Sequence, residues 1–207
     1  MNSKIIHYCW FGGKSLTPLA RKCLASWKKY MPDYEIKRWD ETNFNPSSIP
    51  FTEGAYKAGK WAFVSDYVRF KAIYEHGGLY LDTDVEIIKN LEPLGDNFFG
   101  IEHYRLVAPG LGFRSDPGNI IFKELINTYE SLEYKDKYFL NPTSPDILTR
   151  TLSNHGLRLD NLNINYKVDD YTIYSLEYLC PLNHKTKELN ITKNTYAIHH
   201  YAGSWLK

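Results

Sequence analysis

The apolar and polar positions of the chain change period several times, and each change marks an element. Residues 4–8 are a short apolar run, the pattern of a buried strand, and Gly12-Gly13 closes it. Thr17-Pro18 has the form of a helix N-cap followed by proline at the first helical position. That helix is predicted to reach about Tyr30, since Pro32 forbids much more. Residues 34–39 alternate as a second strand, which makes a β-α-β opening. Residues 43–50 read as a loop. A longer helix begins near Gly59 and runs through Trp61 to His76, with Phe63, Tyr67, Phe70, Ile73 and Tyr74 at helical spacing. Gly77-Gly78 stops it as a glycine C-cap should. Leu79-Tyr80-Leu81 is then a short strand that runs out into Asp82-Thr83-Asp84, with residues 85–88 extended. Further on, residues 98–102 suit a strand, 118–130 and 145–155 suit helices, and 196–201 a late strand. Nothing divides the chain, so residues 1–207 are expected to form one α/β domain.

Composition changes this picture little. The formal net charge is +1, so bulk charge argues for neither nucleic acid nor an anionic membrane surface. The 17 Tyr, 10 Phe and 5 Trp serve first as core. Cys9, Cys23 and Cys180 lack metal-ligand spacing and an even count, which suits a reducing compartment. The apolar run at the N-terminus is too short for a signal peptide or a membrane span. The expected location is cytoplasmic, with a peripheral contact at the inner face of the membrane left open.

The chemistry concentrates where the short strand ends. Asp82 and Asp84 are carboxylates one residue apart, able to turn toward one point, and hard oxygen donors suit Mg²⁺ or Mn²⁺. Such an ion would offset the charge that develops on a departing diphosphate. Open α/β sheets bind ligands beyond the carboxyl ends of their strands. An acidic pair beside glycines often only solvates a turn, so the pair alone is a weak signal. Upstream, Asp66 and Arg69 share a helix face among Ala62, Phe63, Val64, Tyr67, Val68 and Phe70. Charges in such surroundings are costly unless paired or used. A local ion pair and a sugar-binding pair explain them equally well.

The segment from Ala62 through Ser65-Asp66-Tyr67-Val68-Arg69, followed by Gly77-Gly78-Leu79-Tyr80-Leu81-Asp82-Thr83-Asp84, resembles glycosyltransferases that carry the sugar-binding region with a DXD motif. These are the family 32 enzymes, bacterial capsule and polysaccharide transferases among them, and the clostridial glucosylating toxins share the pattern. The opening Ile5-Ile6-His7-Tyr8-Cys9-Trp10-Phe11-Gly12-Gly13 and the closing Ile198-His199-His200-Tyr201-Ala202-Gly203-Ser204-Trp205 extend the resemblance.

The resemblance implies a GT-A type Rossmann-like sheet flanked by helices, a UDP-sugar donor, Mn²⁺ or Mg²⁺, and retention of anomeric configuration. Carried over by position, Asp84 ligates the metal, and Asp82 touches donor sugar and ribose and serves the metal as well. Asp66 and Arg69 hold the donor sugar. Tyr80 and Thr83 lie beside it, and Tyr8 and Trp10 serve the nucleotide, with Trp10 stacking on the base. His200 completes the metal site, with His199 as its rival, because adjacent strand residues face opposite ways. Ser204 and Trp205 would contact the β-phosphate. Pro109-Gly110-Leu111-Gly112-Phe113 falls where such enzymes often place acceptor-side residues, and Asp146 is read as a helix cap. The implied acceptor is a saccharide or a lipid-linked glycan, in polysaccharide, capsule or other surface glycan synthesis. A metal-dependent nucleotide-sugar phosphohydrolase and a non-catalytic sugar-nucleotide-binding module are the alternatives.

Overall fold

A computed structural model describes residues 3–203. The chain opens as strand β1 (Ile5–Cys9), helix α1 (Pro18–Tyr30) and strand β2 (Glu35–Trp39). Thr17 caps α1, its hydroxyl accepting from the Ala20 amide at 3.1 Å, with Pro18 beginning the first turn. Ala20, Cys23 and Trp27 form the buried stripe of that helix.

The expected loop over residues 43–50 is shorter in the structure, and helix continues through residues the sequence left unassigned. A 3₁₀ turn at Pro46–Ser48 leads into helix α2 (Pro50–Lys57), which packs on helix α3 (Trp61–His76). Pro50 and Gly54 look like breakers in sequence. In the fold Pro50 starts the helix, and Gly54 lets Tyr134 approach, because a Cβ there would stand 2.7 Å from the Tyr134 Cβ. α3 ends at Gly77, whose φ of 63° requires glycine in practice.

Strand β3 (Gly78–Tyr80) follows and pairs parallel with β1 on the side opposite β2. β4 (Val85–Ile87) leaves the main sheet. Next come β5 (Phe98–Glu102), β6 (Leu106–Val107), β7 (Phe113–Ser115), α4 (Ile120–Glu130), α5 (Ser144–Asn154), β8 (Tyr166–Val168), β9 (Tyr171–Tyr174), α6 (Leu176–Leu179) and β10 (Ala197–His199). The main sheet runs β2-β1-β3-β7-β5-β9-β8, with β6 paired to β5. β10 pairs antiparallel with β4, which brings the end of the described chain beside the acidic turn. Asn119 caps α4. The expected Asp146 cap is corrected: Thr143 caps α5, and Asp146 sits in its first turn, donating its amide to the Thr143 hydroxyl.

Two apolar clusters fill the two faces of the sheet. Phe51, Phe70, Phe113, Phe122 and Tyr129 lie on one, beneath the later helices. Trp27, Leu81, Val85, Ile87 and Cys180 lie on the other. Each such side chain contributes about 1.5–3 kcal/mol relative to exposure, so the strand ends between the clusters are held rigidly. Trp27 also donates from Nε1 to the Val85 carbonyl at 2.7 Å, tying α1 to β4 directly after the acidic turn. No described helix is long and apolar enough to cross a membrane.

Candidate metal and donor site

β1, β2 and β3 run parallel, so their carboxyl ends share one edge, and the chain leaves β3 there as Leu81-Asp82-Thr83-Asp84. Asp82 is held on both carboxylate oxygens. Oδ1 accepts from the Tyr80 hydroxyl at 2.8 Å, and Arg69 approaches Oδ1 at 3.4 Å and Oδ2 at 3.5 Å. Asp84 lies across the turn. Its Oδ2 accepts from the Ala202 amide at 2.8 Å, and its Oδ1 lies 3.3 Å from His199 Nε2.

Asp66 and Arg69 make the expected pair, with 3.0 Å between Nη2 and Oδ1. It is more than a local helix pair. Both residues are buried, Ser144 at the start of α5 donates to Asp66 Oδ1 at 2.8 Å, and Arg69 also reaches Asp82. One guanidinium therefore links two carboxylates from different elements, and its carbon sits 5.0 Å from the centre of the Tyr80 ring. Burial raises the Asp66 carboxyl against the pull of Arg69 and Ser144. It raises Asp82 too, with the Asp84 charge adding and Arg69 opposing. For Asp84, burial also disfavours the charge, but His199 and the Ala202 amide outweigh it and hold the carboxyl at about 2.

The histidine expectation is corrected. The register sets His199 opposite Val85 and Ile198 opposite Glu86, and because Asp84 belongs to the turn before β4 its carboxylate swings to His199 Nε2, 3.3 Å away. His200 turns the other way and bonds Glu86 Oε2 at 2.8 Å, a carboxylate that Lys22 also holds at 2.7 Å. Donor atoms of Asp82, Asp84 and His199 lie within 4.8 Å of one another. The set fits a divalent cation. Two neighbouring carboxylates repel, and the His199 Nδ1 is buried without a hydrogen-bond partner among the described residues. The two carboxylates are hard oxygen donors of the kind divalent cations take, and the imidazole is a further nitrogen donor.

The remaining expected residues divide. Trp10 stays partly exposed at the end of β1, with Nε1 donating to the Lys14 carbonyl at 2.6 Å. Tyr8 is 6% exposed and packs edge-on against Trp27 at 5.9 Å, so its ring is core rather than a stacking platform. Tyr80 is buried and acts on Asp82 through its hydroxyl. Thr83 is half-buried between the two acids. Ser204 and Trp205 lie outside the described residues. Ser144 was not foreseen as a site residue, and Gly110 was expected only as part of an acceptor-side stretch, not against Asp82. A Cβ on Gly110 would stand 2.7 Å from Asp82 Oδ2, so the loop before β7 closes directly over the acidic turn. Nothing in either stretch of sequence marks which residue faces the site.

Residues 18–99 match the family described as "Glycosyltransferase sugar-binding region containing DXD motif". No curated protein matches the chain. Among solved structures, the PaToxG glycosyltransferase is 20% identical, with a TM-score of 0.55, over 74% of this chain and 68% of that one. A glycosyltransferase involved in glycosylation of the major capsid of PBCV-1 is 14% identical, with a TM-score of 0.50, over 98% of this chain and 95% of that one. The expected fold, a GT-A type sheet flanked by helices, is the one observed.

Proposed function

We propose that the protein is a metal-dependent, retaining glycosyltransferase of the family 32 type, which moves a sugar from a UDP-sugar to a hydroxyl of a saccharide or lipid-linked glycan. The observation that carries this reading is the convergence of Asp66, Arg69, Asp82, Asp84 and His199, from three separate segments, at one sheet edge. A turn that merely solvates itself needs none of those partners.

Asp82, Asp84 and His199 are the residues that would hold Mn²⁺ or Mg²⁺, which when bound supplies positive charge to the diphosphate leaving group. Arg69 links Asp66 to Asp82 and favours their charged forms against the burial that raises both carboxyls. Both contacts to Asp66 use Oδ1, and Oδ2 has no hydrogen-bond partner among the described residues. That atom is available to accept from a donor-sugar hydroxyl, which would orient the anomeric carbon. Trp10 lies at the same edge, where the base would stack. The acceptor oxygen bonds the anomeric carbon as the bond to the UDP oxygen breaks. Its proton passes to the departing phosphate, so front-face attack needs no separate base. Surface-glycan or capsule synthesis at the cytoplasmic side, with peripheral membrane contact, is the setting we propose.

A panel of UDP-sugars incubated with Mn²⁺ and with chelator tests the reading. UDP plus free or transferred sugar, abolished by chelator, is the expected result. UMP plus sugar phosphate would support the phosphohydrolase instead, and an inverted anomeric product would exclude front-face retention.

A further inference from the structure

A file of aromatic rings runs from the candidate metal ligand His199 to an exposed tyrosine. His199 and Tyr201 have ring centroids 4.2 Å apart, Tyr201 and His184 5.1 Å, and His184 and Tyr104 4.9 Å. The Tyr104 hydroxyl and His184 Nε2 share a hydrogen bond at 2.5 Å, and the Tyr201 hydroxyl is anchored on Cys180 Sγ at 2.9 Å. The file begins at a candidate metal ligand and ends on Tyr104, which is 53% exposed. Among the described residues, four other than glycine take left-handed backbone, and three flank this file: Arg105 at 59°, Lys187 at 62° and Tyr201 at 51°. His184 Nδ1 and the nearby His103 Nε2 are buried without hydrogen-bond partners among the described residues.

At the outer end of the file the charge is positive. Lys185 Nζ stands 4.9 Å from the Tyr104 ring centre, and Lys185, His103, Lys187 and His199 all act on His184. Neither Lys185 nor Lys187 takes part in an ion pair among the described residues. Glu102 lies on the inner side, toward His199 and Tyr201. An apolar ring face rimmed by free ammonium groups recognises a flat ligand that bears negative charge.

We propose that Tyr104, His184 and Tyr201, with Lys185 and Lys187, form the subsite for an anionic saccharide acceptor, one that carries a phosphate or a carboxylate. The inference rests on the transferase reading, because the file starts at the metal site. A sugar stacked on it presents a hydroxyl toward His199, Asp82 and Asp84, while its charged substituent meets the lysines. This would make the acceptor charge, rather than the donor pocket, the determinant read by this edge.

The test is direct binding, by saturation-transfer NMR and calorimetry at low salt, of three probes: cellobiose, a glucuronic-acid-terminated disaccharide and glucose 6-phosphate. At least one anionic probe is expected to bind about tenfold tighter than cellobiose. The uronate and phosphate arms separate the two sources of charge. Tyr104→Ala should weaken all binding about tenfold, and Lys185→Glu/Lys187→Glu should erase the preference for charge. Equal binding of neutral and anionic probes, indifference to Tyr104→Ala, or no binding of any probe at millimolar concentration would overturn the proposal. UDP binding with Mn²⁺, followed in parallel, should be unmoved in these exposed-residue variants. If the wild type fails to bind UDP while the probes behave as expected, the transferase reading falls and the anion-binding subsite stands.

Discussion

Gly110→Ala probes the acidic turn without removing any of its groups. The added Cβ would lie 2.7 Å from Asp82 Oδ2 and 3.9 Å from Arg69 Nη1. An ordinary carbon–oxygen contact needs about 3.4 Å, so the carboxylate must retreat by roughly 0.7 Å or the loop must lift. Asp82 has little room to retreat, being held at 2.8 Å by Tyr80 and at 3.4–3.5 Å by Arg69. The overpacking should cost about 1–3 kcal/mol, reduced by the 0.4–1 kcal/mol or so that alanine gains over glycine through the unfolded chain. Metal sites tolerate distance errors of only about 0.2 Å, so Mn²⁺ affinity should fall by about tenfold or more while the protein stays folded. Mn²⁺ titration by EPR, with a thermal melt alongside, reads both effects. Unchanged Mn²⁺ affinity in a folded Gly110→Ala protein would refute the reasoning that this loop and Asp82 constrain each other.

Other consequences follow from buried polar groups. Ser144→Ala removes a hydrogen bond to the buried Asp66 carboxylate and should cost about 1–3 kcal/mol in urea unfolding, with donor turnover reduced as well. His7 is fully buried and neutral: Trp39 Nε1 donates to its Nδ1 at 3.0 Å, so Nε2–H donates to the Gly77 carbonyl at 3.0 Å. Burial pulls its pKa down from the ordinary 6.5 to about 4. Its stabilising effect is therefore complete above about pH 6.5 and declines as pH falls toward 4, by about 3 kcal/mol in all. Denaturant titrations across that range should show this slope in the wild type and not in His7→Gln. His155 is the opposite case. Burial works against its charge, but Glu124 at 3.1 Å and Asp169 at 2.7 Å outweigh it and raise its pKa. That contribution is present below the ordinary histidine pKa and lost as pH rises through the folded value. The wild type should exceed His155→Gln in stability by more near pH 5.5 than near pH 8.5.

Much of the site was legible because it is local in sequence. The Thr17-Pro18 cap, the Gly77-Gly78 stop and the acidic turn are punctuation set by backbone sterics, and they fell where the pattern put them. The Asp66–Arg69 pair was legible too, but not its third partner, Ser144, which lies 78 residues away and depends on how α5 docks. Which histidine lies beside Asp84 was not legible for the same kind of reason. Alternation says that His199 and His200 face opposite ways, and only the conformation of the acidic turn, where β4 has not yet begun, decides which meets Asp84. α2 was missed because Pro50 and Gly54 signal a loop locally and are accommodated by tertiary packing. Tyr8 was carried over as a nucleotide residue by the resemblance of the opening strand. The register turns its ring into the core against Trp27.

The central claim is that Asp82, Asp84 and His199 act together through a divalent cation on a nucleotide diphosphate. Calorimetric titration of UDP, with and without Mn²⁺, into the wild type, Asp84→Asn, His199→Ala and His200→Ala tests it most directly. Binding should require Mn²⁺, vanish in Asp84→Asn and His199→Ala, and persist in His200→Ala, whose side chain is engaged with Glu86. UDP binding that ignores Mn²⁺, or that survives in His199→Ala and fails in His200→Ala, would contradict the account.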